Sequence, residues 1–111
     1  MKALPDENLN LMYDQDLKDK IEKGEKMIIL DVRGDEEWDE GHIEGAKHIY
    51  VGHLENNLDQ VPRNLRIIVY CDSSRRSNIA ASILKKNGYD EVSNVLGSMT
   101  AWKNAGYEVV K

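Results

Sequence analysis

Two stretches of the chain are apolar at every position rather than at alternate ones: Met27-Ile28-Ile29-Leu30 and Ile67-Ile68-Val69-Tyr70. A strand with one wetted face alternates apolar and polar side chains, whereas a strand covered on both faces does not. The isoleucines and valine in these runs favour extended backbone. The pattern predicts two central strands of a parallel sheet with helices on each side. Weaker strand candidates lie at 11–13, 46–50 and 91–95.

Between these runs the apolar spacing is helical. Leu17 and Ile21 share a face of a helix over about 14–23, with Asp14 or Asp16 as its cap and Gly24 as its stop. From Ser77 onward Ile79, Ala80, Ile83 and Leu84 fall on one face, and Asn87-Gly88-Tyr89 ends that helix. A last helix is predicted over about 98–105, with Met99 and Trp102 three apart, after which Gly106 releases a short tail. Met27, Met99, Trp38 and Trp102 read as core, Trp38 towards the rim of a pocket. Residues 1–10 are polar, contain Pro5 and read as a loose tail, which leaves 11–111 as a single domain. Strands alternating with helices give an α/β fold, in which ligands bind beyond the carboxyl ends of the strands. The two strongest strands run into Asp31-Val32-Arg33 and into Cys71-Asp72-Ser73-Ser74-Arg75-Arg76-Ser77.

Composition narrows the function classes. At 111 residues the chain has the size of one domain with a core of its own. Net charge is −5, and the charges are mixed in sign with no basic stripe, which argues against nucleic acid as partner. No apolar run approaches the roughly 20 residues of a membrane helix. The first ten residues lack the apolar core of a secretory signal. One cysteine cannot close an internal disulfide. The expectation is a cytoplasmic protein without a membrane contact, and a monomer. Three scattered histidines (His42, His48, His53) and that cysteine do not form a zinc pattern, so no metal is expected.

The cysteine is where chemistry concentrates. A lone cysteine after an apolar strand is commonly a packing residue. The residues that follow change the balance. The first N–H groups of a helix lack intrahelical partners and carry partial positive charge, so a tight loop leading into them makes an anion cradle. Such a cradle stabilises a thiolate at its edge. Arg75 and Arg76 have the wrong sign for a helix start unless an anion sits there, and their forked donors suit an oxyanion. The loop contains no glycine and no G-x-x-x-x-G-K-[ST] pattern, which excludes a nucleotide P-loop. On these residues alone a buried thiol and a nucleophile both stand.

Residues 30–49 contain Asp31-Val32-Arg33, then Glu37-Trp38, Gly41-His42-Ile43 and Gly45-Ala46. Residues 70–109 contain the cysteine loop, Asn87-Gly88-Tyr89, and Ala101-Trp102 before Ala105-Gly106-Tyr107. Over about 11–109 this combination resembles the rhodanese-like sulfurtransferases. The resemblance implies a three-layer sandwich around a central five-stranded parallel sheet. It implies that Cys71 accepts a sulfane sulfur from a small oxyanion such as thiosulfate, or from a persulfide donor. Cys71 would pass it to cyanide, a thiol or a protein acceptor, with no cofactor. Asp72, Ser73, Ser74, Arg75, Arg76 and Ser77 would bind the donor, although one arginine could instead pair with a carboxylate and Ser77 could be a helix cap. Asp31, Arg33, Glu37 and His42 would support the site, Asp31 and Arg33 as an ion pair and His42 as a hydrogen-bonded turn residue. Three departures stand out: Ser74 where the family often has glycine, the acid Asp72 beside the cysteine, and Gly97-Ser98 where the family has paired glycines. Two other readings remain. One is a catalytically weak binding or sulfur-relay module. The other is a phosphatase or arsenate reductase of the same fold, whose loops hold one residue more than the four between Cys71 and Arg76.

Overall fold

The computed structural model describes residues 11–72 and 75–111. The expectations for the tail 1–10 and for Ser73 and Ser74 lie outside these residues. In chain order the elements are β1 (Leu11–Met12), α1 (Asp14–Glu22), β2 (Met27–Asp31), α2 (Asp35–Glu40), β3 (Lys47–His48) and α3 (Val51–Leu54). A 3₁₀ segment (Glu55–Gln60), β4 (Arg66–Tyr70), α4 (Arg75–Lys86), β5 (Val92–Val95) and α5 (Ser98–Asn104) follow. Among the described residues the five strands form one parallel sheet in the order β1-β5-β4-β2-β3. The two runs that are apolar throughout lie side by side inside it, with Ile28 opposite Ile67 and Asp31 opposite Tyr70.

Strand side chains alternate between faces, and the core divides accordingly. Leu30, Val32, Ile67, Val69 and Cys71 pack on one face with Leu54, Ala80, Ala81 and Leu84, from α3 and α4. Ile29, Ile68 and Tyr70 pack on the other face with Leu17, Met99 and Trp102, from α1 and α5. Cys71 therefore continues the alternation of β4 and lies under α4. Among the described residues no helix is long and apolar enough to cross a membrane.

Several details differ from the sequence reading. α4 begins at Arg75, two residues before Ser77, so Ser77 lies inside the first turn and is not its cap. The buried stripe of α4 is Ser77, Ala80, Ala81 and Leu84, while Ile79 is half exposed on another side. Neither acid is the N-cap of α1; Tyr13 holds that position, and the Asp16 carboxylate reaches back to accept the Tyr13 N–H at 3.3 Å. The tail after Gly106 is anchored, because Val110 exchanges both backbone hydrogen bonds with His42 at 2.8 Å. α4 ends as its sequence suggests: Gly88 takes a φ of 91°, and the Tyr89 N–H reaches back to the Leu84 carbonyl at 3.0 Å.

Candidate active site

The sheet brings the carboxyl ends of β2 and β4 together. At the end of β2, Asp31 and Arg33 form the expected ion pair, their side chains 0% and 3% exposed. The Asp31 carboxylate accepts Arg33 Nη2 at 2.8 Å, Arg33 Nε at 3.1 Å and the Arg33 backbone N–H at 2.9 Å. Arg33 Nη2 also donates to the Gly41 carbonyl at 2.7 Å, which ties the end of α2 to the strand. Burial works against the Arg33 charge, but the hydrogen bonds and charge of Asp31 outweigh it and hold the guanidinium above its ordinary value. Beside this pair Tyr70 accepts the Ile43 N–H at 3.1 Å, and burial first, then the Asp31 charge, pushes its phenol far up.

At the end of β4, Cys71 is 1% exposed. Its sulfur lies 3.4 Å from the buried Ser77 hydroxyl, in the first turn of α4. Its backbone N–H donates to Ser98 Oγ at 3.1 Å, and its carbonyl accepts the Met99 N–H at 2.9 Å. The Asp72 carbonyl accepts both the Thr100 N–H at 3.0 Å and Thr100 Oγ1 at 2.9 Å, while Asp72 as a whole is exposed. The start of α5 thus holds the strand end from which the loop departs.

The two arginines behave differently. Arg75 is exposed on the first residue of α4. Arg76 forms a two-pronged pair with Glu37 of α2, at 2.7 and 2.8 Å. This is the carboxylate pairing that the sequence left open for one of them. The Arg76 hydrogen bonds hold the Glu37 carboxyl down at about 2. Glu37 in turn raises Arg76, and the Cys71 and Asp72 charges add to the rise. Glu37 also accepts the Gly34 N–H at 3.0 Å, so one carboxylate links the loop after β2 to α4.

Trp38 is half-buried rather than core. Its indole stacks on His42 at 3.4 Å and on His48 at 4.8 Å, both rings nearly parallel to it. Two imidazoles that close to one indole cannot share a face without overlapping, so they flank it on opposite sides. His42 Nδ1 lies 3.0 Å from the Trp38 carbonyl, in keeping with a hydrogen-bonded turn residue. His48, which the sequence did not single out, sits 2.7 Å from the Arg33 carbonyl through Nε2. Its signal was out of reach because the stack joins positions ten apart through a turn and an edge strand. Among the described residues no group of three or more His, Cys, Asp or Glu side chains could hold a metal ion.

The description of the rhodanese-like domain matches residues 14–105, which takes in every element from α1 to α5. The chain belongs to the rhodanese-like domain family. Among its relatives, the putative sulfur carrier protein YrkF of Bacillus subtilis is 40% identical over 85 residues, covering 77% of this chain and 46% of YrkF. The putative sulfurtransferase YtwF of the same organism is 37% identical over 87 residues, covering 78% of this chain and 84% of YtwF. The chain thus spans under half of one of these proteins and most of the other. A rhodanese-related protein from Thermoplasma volcanium superposes with a TM-score of 0.83 at 27% identity, over 91% of this chain and 97% of that one. The five-stranded parallel sheet of this rhodanese-like domain is the architecture that the resemblance implied.

Proposed function

We propose that the protein is a sulfurtransferase that carries a sulfane sulfur on Cys71 as a persulfide. The observation that carries the reading is the setting of this thiol. It stands at the carboxyl end of the central strand β4, 3.4 Å from the Ser77 hydroxyl, with the exposed cation Arg75 opening the next helix. The relatives named as a sulfurtransferase and a sulfur carrier support it.

With thiosulfate as donor, the Cys71 thiolate attacks the outer sulfur. A new sulfur–sulfur bond forms, the bond to the sulfite sulfur breaks, and sulfite leaves with that electron pair. An acceptor nucleophile, cyanide or a thiolate, then attacks the outer persulfide sulfur and returns the cysteine as thiolate. Neither step needs an outside oxidant or reductant. Ser77 is placed to donate a hydrogen bond to the sulfur in its anionic form. Arg75 attracts the dianionic donor, and the partial positive charge at the start of α4 stabilises the negative charge that sulfur carries through both steps. Arg76 is held by Glu37 and acts on the site through its charge rather than as a ligand of the donor. Ser73, Ser74 and the loop N–H groups complete the donor site in this reading. Asp72, being exposed, acts on the donor by long-range repulsion and not by contact.

A second reading gives the persulfide to a protein acceptor instead of a small thiol. The sulfur carrier name of YrkF favours it, as does the single cysteine, which leaves no second thiol in the chain to resolve the persulfide. The test is the intact mass of the protein after incubation with thiosulfate. Uptake of one sulfur atom, absent in Cys71→Ser and reversed by cyanide, is the expected result. Uptake that survives Cys71→Ser, or no uptake from thiosulfate or any persulfide donor, would overturn the reading. Uptake released only to a protein would select the relay.

A further inference from the structure

The turn that opens α5 holds two consecutive residues in the left-handed region, Gly97 at φ 74° and Ser98 at φ 47°. Glycine is required at the first, since a Cβ there would lie 2.6 Å from the Ala101 Cβ. Serine at the second is strained, and glycine would be relaxed. A strained serine makes physical sense where its hydroxyl does something that glycine cannot.

Ser98 is 1% exposed, so water does not satisfy its hydroxyl. That hydroxyl is used in both directions. It accepts the Cys71 N–H at 3.1 Å and donates to the Val95 carbonyl at 2.8 Å. The next residue, Met99, donates its N–H to the Cys71 carbonyl at 2.9 Å. Both backbone groups of the cysteine are therefore held by residues 27 and 28 positions downstream. In a trans peptide the C=O and N–H point opposite ways. Holding the Cys71 carbonyl at α5 turns the Asp72 N–H of the same peptide away from α5. With its backbone fixed on both sides, the cysteine keeps only the rotation about Cα–Cβ to move its sulfur.

We infer that Ser98 is a positioning residue for Cys71. Its hydroxyl bridges the Cys71 N–H to β5, and so sets where the sulfur stands against the first turn of α4. This rests on Cys71 being the sulfur-carrying nucleophile.

Two variants separate positioning from a structural role. Ser98→Ala removes the hydroxyl and keeps the backbone strain, whereas Ser98→Gly removes both. Positioning predicts that Ser98→Gly melts above Ser98→Ala, because the strain is gone. It also predicts that kcat with thiosulfate falls about three- to tenfold in both, the usual scale for one lost hydrogen bond. The KM stays unchanged, since Ser98 does not touch the donor. Amide hydrogen exchange adds a readout that does not depend on activity. The Cys71 N–H should lose about tenfold in protection in both variants, while Ile68 and Val69 keep theirs. Unchanged Cys71 protection in both variants would overturn the inference. So would a wild-type kcat in Ser98→Gly despite a loosened Cys71 amide. If the wild type takes up no sulfur, the proposed reaction fails and with it the catalytic part of the inference. The exchange measurement still decides whether Ser98 holds the cysteine.

Discussion

The carboxyl ends of β2 and β4 are neighbours in one sheet, with Asp31 opposite Tyr70, yet they are used in opposite ways. At the end of β2 the charges of Asp31 and Arg33 neutralise each other in the dry interior, and what remains of their hydrogen-bonding capacity grips the chain at Gly41 and the Arg33 backbone. At the end of β4 there is a thiol, held by its backbone, beside a hydroxyl and a helix start with two arginines. The first end is a frame. The second is where the proposed sulfur carrier stands, 1% exposed and under the first turn of α4. Glu37 of α2 joins them: it accepts the Gly34 N–H after β2 and also pairs with Arg76, while Arg75, in the same first turn of α4, is exposed. In the proposed sulfur transfer, adjacent strand ends divide rigidity from chemistry.

The comparison breaks most visibly if the frame is cut. Asp31→Ala leaves a buried guanidinium without its carboxylate and should destabilise by about 3–5 kcal/mol, a large share of the stability of an ordinary domain. Thermal or urea unfolding measures it. Replacing Asp31 and Arg33 together by apolar residues of similar volume should recover most of that loss. A small effect of Asp31→Ala would mean that the pair is not the frame.

On the reactive side, Arg75→Ala should raise the KM for thiosulfate about three- to tenfold with an unchanged Tm, because the residue is exposed and acts by charge. High salt should mimic the variant. If Tm falls and KM does not move, the arginine belongs to the frame instead.

The joint between the two ends is weaker. Glu37→Gln should cost about 1 kcal/mol or less, since the pair is partly exposed. Its sign is testable with pH. The folded Glu37 carboxyl is held down at about 2 from an ordinary 4.5, so its contribution is present above about pH 4.5 and is lost as pH falls towards 2. Acid unfolding of the wild type should therefore be steeper over that window than that of Glu37→Gln. The smallest effect is expected from Asp72→Asn, an increase of about twofold in the rate with thiosulfate at low salt that fades as salt is added.

How much of this was legible in the sequence follows from the physics of each element. β2, β4 and the Cys71–α4 junction could be read because continuous β-branched runs and a helical stripe are local signals. α2 could not: Asp-Glu-Glu-Trp-Asp-Glu buries no residue and shows no apolar face. α3 and the 3₁₀ segment after it bury only Leu54 and kink at Asn57, so they too lack a stripe. The Asp31–Arg33 pair was visible because its members are two apart at a strand end. The Arg76–Glu37 pair spans 39 positions and was foreseen only as a possibility for one arginine. Ile79 was placed on the buried face because it is large and apolar, yet small Ala80 and Ala81 face the sheet and Ile79 does not. Ser98 could be noticed as a serine in place of glycine, but its hold on Cys71 exists only once β4 and α5 meet.

The most direct test of this division of labour is the intact mass of the wild type and of Cys71→Ser after incubation with thiosulfate and desalting without reductant. The account predicts that the wild type gains one sulfur atom, loses it to cyanide, and that Cys71→Ser gains none. Sulfur bound equally by both proteins would contradict it.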